Sequence, residues 1–258
     1  VHRVKVEVAV FTYRGWASTS RRAINQMAFY AHKAGVGIVG PVEYGNALIH
    51  RARNEVLAHI PPDVSHVLMV DDDMVPEAAA LTRLLDHDLP VVSALCTTRL
   101  EPPVLAVKAY HEESGQFVPM AAMKPKLHTG KFGVGAAFLL LRRDAIDAMI
   151  EDYLSAADWL EDHRRLMDRL HVRNELRRKE QQRRAGVRRA RMASEKWLRV
   201  FDFPVGDDDL QYGEDIGMSR RLIRLGIPIA IDATVEVGHL GEKMFTPDDV
   251  AFGKDLVA

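Results

Sequence analysis

Three consecutive carboxylates, Asp71, Asp72 and Asp73, follow directly on four apolar residues, Val67 to Val70. A short unbroken apolar run suits a strand buried on both faces, as in a parallel sheet. The carboxyl ends of such strands are where open α/β sheets bind ligands. Acids crowded at one strand end repel one another, and a divalent cation relieves that repulsion. Oxygen donors suit magnesium or manganese. The competing reading is a solvated acidic turn that caps a helix starting near Pro76. A second pair of acids, Glu214 and Asp215, opens the helical stretch Ile216 to Leu225. Carboxylates there complement the helix dipole. His239 ends a short apolar run between glycines, where it is either structural or a metal ligand.

Those residues need elements to position them. Val4 to Phe11 predicts a first strand running into Thr12, Tyr13, Arg14 and Gly15. Ser18 or Ser20 can cap a helix over Arg21 to Lys33, which Gly35 ends. Val36 to Val42 predicts a second strand. Asn46 to His59 predicts a second helix, closed by Pro61 and Pro62 and carrying Arg53 and Asn54. The acid-tipped strand follows, then a helix over Glu77 to Leu85 and an apolar strand over Leu89 to Leu95. Strand and helix thus alternate four times, the pattern of a parallel sheet wrapped by helices.

After Cys96 the pattern changes. Thr97 to Val107 contains Pro102 and Pro103 and predicts a loop leading into an edge strand. Tyr110 to Met120, with Gly115 in its middle, predicts a hairpin. The segment GKFGVG at 130–135 reads as a glycine-rich loop before a strong apolar strand, Ala136 to Leu141. It lacks the Lys-Ser or Lys-Thr ending of a phosphate-binding P-loop and precedes a strand rather than a helix. Close backbone approach to a substrate or a flexible turn would each explain its glycines. Asp144 opens a helical region running, with breaks, to about Trp197. Phe201 to Val205 returns to the body, the acids Asp207, Asp208 and Asp209 fall in a loop, and Ile227 to Ile231 and Val235 to Val237 are short strands.

The chain has 258 residues, 47 % of them hydrophobic, enough for a sizeable core in one large α/β domain or two smaller ones. Its net charge of −1 is unevenly spread. Leu160 to Arg199 holds 14 Lys and Arg against 6 Asp and Glu, a balance of +8 that leaves −9 for the rest. Beyond Leu176 the apolar face of this region fades, so it is a solvated helix, a surface for a polyanion such as DNA, or a lid over the site. Cys96 is the only cysteine, which excludes an intramolecular disulfide. No apolar run approaches the roughly 18 residues of a membrane span. The start, VHRVKVEVAVF, has no signal-peptide core, so a cytoplasmic protein is expected.

Taken in order, the DDD strand, GVGAAFLLLRR, YGEDIGMSRR and VEVGHLG resemble glycosyltransferases of the GT-A fold, family-2-like, of the small bacterial and phage type. The resemblance runs from Val8 to about Gly241 and omits the basic stretch. It implies an α/β, Rossmann-like mixed and mainly parallel sheet flanked by helices, with a basic helical insertion. Residues 1–150 would form the nucleotide-sugar-binding core, 151–199 the insertion, and 200–258 the catalytic and acceptor part of the same domain. Asp71 and Asp73 match the outer acids of the family's Asp-x-Asp motif, with Asp73 on Mn2+ or Mg2+ and Asp71 on the metal or the ribose, beside Asp72. His239 matches a histidine that completes the metal site in some members. Asp215, next to Glu214, matches the general base of inverting members; retaining members also exist, with a metal-binding histidine among them, so the resemblance leaves both outcomes open. Thr12, Tyr13 and Arg14 fall where the family holds base and ribose, although its usual proline-containing sequence is absent there. Arg53 and Asn54 match a recurrent Arg-Asn bordering the nucleotide. The donor implied is a nucleotide-sugar, a UDP-sugar first, and the acceptors include a hydroxylated base in DNA. A nucleotidyltransferase is the enzymatic alternative, but FTYRGWASTS lacks the glycine-rich, lysine-containing loop expected after its first strand. A nucleic-acid-binding protein built on the basic helices is the non-enzymatic one.

Overall fold

In the computed structural model, which describes residues 4–12, 15–45, 48–99, 102–155, 198–202, 213–241 and 244–246, the strand Lys5–Thr12 (β1) sits near one side of a seven-stranded sheet. β1 pairs in parallel with β2 (Gly37–Gly45) on one side and β3 (His66–Asp71) on the other. Helices α1 (Ser18–Lys33) and α2 (Ile49–His59) make the two crossovers. α3 (Ala80–Asp86) leads to β5 (Val91–Ala94), which does not pair with β3. Between them runs β10 (Phe138–Arg142), antiparallel to both. β11 (Ile229–Asp232) pairs in parallel with β5, and β8 (Leu127–Gly130) closes the far edge antiparallel to β11. The sheet is mixed and mainly parallel, flanked by helices on both faces, as the sequence predicts.

The strands are apolar throughout because both faces are covered. On one face Val6, Val8, Val10, Leu68 and Val70 meet Ile24 and Met27 of α1 and Leu81 and Leu84 of α3. On the other, Phe11, Met69, Leu139 and Leu141 meet α2, α4 (Arg143–Ser155) and α5 (Glu214–Arg224) through Val56, Ile146, Met149, Met218 and Leu222. Leu198, Val200 and Phe201 are buried in this second layer. Residues 156–197, which hold nearly all of the basic stretch, and the acids Asp207 to Asp209 lie outside the described residues, as do Tyr13 and Arg14. Among the described residues no helix is long and apolar enough to cross a membrane.

Two small sheets decide where the chemistry-bearing residues go. Directly after the acids, β4 (Met74–Pro76) pairs with β12 (Val237–Leu240), setting His239 opposite Met74, and β13 (Met244–Phe245) pairs on the far side of β12. The second is β7-β6-β9, made of β6 (Val107–His111), β7 (Gln116–Pro119) and β9 (Phe132–Val134). The expected hairpin around Gly115 is present as β6 and β7. The strand beginning at Val107 is not an edge, however, because β9 covers its other side. Nor is GKFGVG a loop: its first residue ends β8 and its middle forms β9. A Cβ on Gly133 would lie 2.8 Å from both Ile216 Cδ1 and Phe117 Cδ1, so this glycine admits close packing of α5 and β7.

Some boundaries also move. α3 starts at Ala80 rather than Glu77, because the Glu77 backbone N–H donates to the Glu236 carbonyl at 3.0 Å and its carboxylate pairs with Arg83. α2 is observed from Ile49, Asn46 being outside the described residues. The last predicted strand pair is displaced by about two residues, to Ile229–Asp232 and Val237–Leu240, which puts His239 inside a strand.

Candidate functional site

The carboxyl end of β3 opens on a cavity of about 690 Å³. Phe11, Thr12 and Gly15 after β1, Tyr44 of β2, Ile49 and Ala52 of α2, the three acids, Arg99, Leu240 and Gly241 line it. The backbone fixes the acids tightly: Asp71 N–H donates to the Ala137 carbonyl at 2.9 Å and Asp72 N–H to the Phe11 carbonyl at 3.0 Å. The Asp73 carbonyl accepts from Leu240 N–H at 2.8 Å, which holds β12 against the turn. Thr12 turns its hydroxyl to the Gly15 N–H at 3.1 Å.

Asp71 is held by an arginine from inside the protein. Arg53, its side chain 3 % exposed, reaches Asp71 Oδ1 at 2.9 Å and Glu214 Oε1 at 2.5 Å. Its guanidinium lies 5.6 Å from the Phe11 ring centre and 5.7 Å from that of Phe201, a cation held between aromatic faces. Burial raises the Asp71 carboxyl above the ordinary range and Asp73 adds to the rise, while Arg53 opposes it. Arg53 thus joins α2, β3 and α5 at one point. The neighbouring Asn54 donates to the Phe201 carbonyl and accepts from the Phe201 N–H, both at 2.9 Å, which fastens residues 198–202 to α2.

Asp73 faces differently. Its Oδ2 is 2.8 Å from the Arg99 guanidinium and 3.4 Å from His239 Nε2. Its Oδ1 is buried with no hydrogen-bond partner among the described residues. His239 Nδ1 lies 2.6 Å from the Thr97 carbonyl. A carbonyl only accepts, so Nδ1 carries a proton, and Nε2 is turned to the Asp73 carboxylate, where a ring proton or a shared cation satisfies both.

Glu214 and Asp215 start α5 after Gly213. Asp215 accepts from the Ile216 N–H at 2.7 Å, and its carboxyl is raised by burial first and by Glu214 second. A Cβ on Gly135 would lie 3.7 Å from Asp215 Oδ2, and the Asp215 carbonyl accepts from the Ser219 hydroxyl at 2.9 Å. Ser219 in turn accepts from the Val134 N–H at 3.2 Å, so β9 and the first turn of α5 are bonded together.

The two ends of the predicted set are therefore joined: Asp71 meets Glu214 through Arg53, and Asp73 meets His239 directly. Arg99, Thr97 and Phe201 were not singled out from sequence. The one available signal for Arg99 was a cation just past a strand of the same sheet as the acids. Among the described residues no group of three or more His, Cys, Asp or Glu could hold an ion unaided. Magnesium and related ions commonly take one or two protein carboxylates and complete their shell with water and substrate phosphates. The orphaned Asp73 Oδ1 and His239 Nε2 fit that pattern as two donors. The Thr97 carbonyl supplies the second hydrogen bond that usually orients a ligating histidine.

No family profile and no curated protein matches the sequence. Solved structures with similar arrangements include the protein A197 from STIV, at 11 % identity and a TM-score of 0.49 over 95 % of this chain and 92 % of that one. The catalytic domain of Drosophila β1,4-galactosyltransferase 7, crystallised with xylobiose, shares 15 % identity at a TM-score of 0.35, over 57 % of this chain and 52 % of that one. A 4-diphosphocytidyl-2C-methyl-D-erythritol synthase from Anaerococcus prevotii shares 12 % at 0.36, over 60 % of this chain and 78 % of that one. Likenesses at these scores carry no argument about what this chain does.

Proposed function

We propose that the chain is a metal-dependent glycosyltransferase, moving a sugar from a nucleotide-sugar, a UDP-sugar first, to an acceptor hydroxyl. The observation that carries this reading is that Asp73, which lines a cavity large enough for a nucleotide, has His239 Nε2 3.4 Å away and an oxygen without a partner among the described residues. Thr12, Phe11 and Tyr44 offer a polar and aromatic wall for base and ribose, and Tyr13 and Arg14, next in sequence after Thr12, are further candidates for holding them. Asp71, Asp72 and Asp73 face the phosphates, and Arg53 and Asn54 keep the wall in register. Asp73 and His239 would hold Mn2+ or Mg2+, whose charge neutralises the diphosphate as it leaves.

The reaction is a displacement. The bond from the anomeric carbon to the diphosphate oxygen breaks with its electron pair on the phosphate, and the acceptor oxygen forms the new bond. The acceptor proton goes to the Asp215 carboxylate, with Glu214 beside it raising its affinity for that proton. A raised carboxyl is suited to taking a proton near neutral pH. Residues 1–150 and 200–258 make up the transferase body in this reading, and the basic stretch in 151–199 engages an anionic acceptor, with a hydroxylated base in DNA the first choice on charge alone. The test is hydrolysis of UDP-, GDP- and dTDP-sugars with manganese. Manganese-dependent release of one nucleotide diphosphate is expected, and no turnover of any donor would overturn the proposal.

A further inference from the structure

Asp71 and Asp73 stand two residues apart, yet their arginine partners differ in kind. Arg53 is locked in the core between two rings and is shared with Glu214. Arg99 comes from the chain after β5, is 58 % exposed, and reaches Asp73 Oδ2 at 2.8 Å while lining the same cavity. It places a cation of the protein's own at the carboxylate that also faces His239 Nε2.

We propose that Arg99 is the resident counter-cation of Asp73, displaced when a divalent ion binds, and that the freed guanidinium then pairs with the donor diphosphate. This rests on the metal-site reading of Asp73 and His239. Three physical points carry it. The Arg99 side chain is 58 % exposed, so its guanidinium can leave Asp73 for water or another anion without being buried unpaired. A guanidinium and a dication on one carboxylate repel each other at close range, which loosens the Arg99 contact when the ion binds. The arginine fork matches phosphate oxygens in a bidentate geometry, and Arg99 already borders the space the diphosphate would fill. Arg53 cannot play this part at Asp71, because its side chain is 3 % exposed and fixed by Glu214 and the two rings.

A single substitution should therefore have two opposite effects. Manganese binding without nucleotide is measured by the paramagnetic signal of free Mn2+, and manganese-pyrophosphate binding by calorimetry. Arg99→Ala is expected to bind Mn2+ about two- to five-fold more tightly, the scale of an exposed pair. It should bind manganese-pyrophosphate at least about ten-fold more weakly, the scale of a charged hydrogen bond. Arg99→Lys should restore part of the pyrophosphate affinity. Asp73→Ala should lose Mn2+ binding. If Asp73→Ala binds Mn2+ as wild type does, the metal site itself is wrong and this proposal falls with it. If Asp73 is required but Arg99→Ala leaves Mn2+ affinity unchanged or lower, only the counter-cation role of Arg99 fails. Unchanged pyrophosphate affinity in Arg99→Ala overturns its diphosphate role.

Discussion

Asp215 shows how one carboxylate can serve two ends. It accepts the Ile216 N–H as a helix-start acid would, and burial also raises its affinity for a proton. The sign of its effect on stability follows from that shift. The folded state keeps the proton at pH values where the unfolded chain has released it. Stability is therefore lost as pH rises from the ordinary carboxylate value of 3.8 through the raised folded value, and the loss persists above it. Asp215→Asn keeps the oxygen facing Ile216 and removes the charge, so it should be more stable than wild type at neutral pH in urea titrations. The same substitution should lower transfer by about 10²- to 10⁴-fold, the worth of a positioned base, with donor binding nearly unchanged. In wild type the acid limb of the rate profile should lie above the usual carboxylate range. A variant with wild-type transfer would reduce Asp215 to a helix-start acid.

At the scale of elements, the site is a junction of β3, α2, α5 and β12, and two residues carry the joints. Arg53 is a buried cation with an acid on either hand. Arg53→Met keeps the length and apolar stem but leaves Asp71 and Glu214 without their shared partner. A loss on the order of 3 kcal/mol is expected, read from the urea midpoint at constant slope. A change within error would mean the acids find other partners. Gly133 is the second joint, where β9 passes under Ile216 and beside Phe117. Gly133→Ala overpacks that contact, and a cost of about 1–3 kcal/mol should appear as a lower melting temperature. If the proposed metal donors on β3 and β12 are right, manganese binding should survive in this variant, separating the packing of α5 from those donors.

Over the whole molecule the charge is divided: Leu160 to Arg199 carries +8 and the remainder −9. A helix buried against the sheet would keep an apolar stripe, and the loss of that stripe beyond Leu176 together with the arginine content favours a polyanionic partner. Replacing Arg183, Arg184, Arg188 and Arg189 with Gln should leave donor hydrolysis intact and sharply reduce DNA binding at low salt. The binding lost should be sequence-independent and steeply weakened by added salt. Wild-type protein that shows no DNA retention at low ionic strength would rule out DNA as the acceptor.

Local pattern alone was enough for the alternation of strands and helices, the continuous apolar run of β3, and the acids at its end. Those features depend on neighbours a few residues away, through burial of both sheet faces and the crowding of like charges. The pairing of His239 with Asp73 was legible only through resemblance, because it depends on β4 joining β12 across 163 residues of chain. The insertion of antiparallel β10 between β3 and β5 left no local trace either, since a strand buried on both faces reads the same in either direction. GKFGVG was misread for a related reason: a glycine that makes room for a packed helix and one that makes a turn look identical until Ile216 arrives. Arg53 and Arg99 are both plain arginines in the sequence. Only the tertiary structure buries one between two rings and leaves the other at the surface, and that difference in solvation decides which carboxylate can exchange its cation.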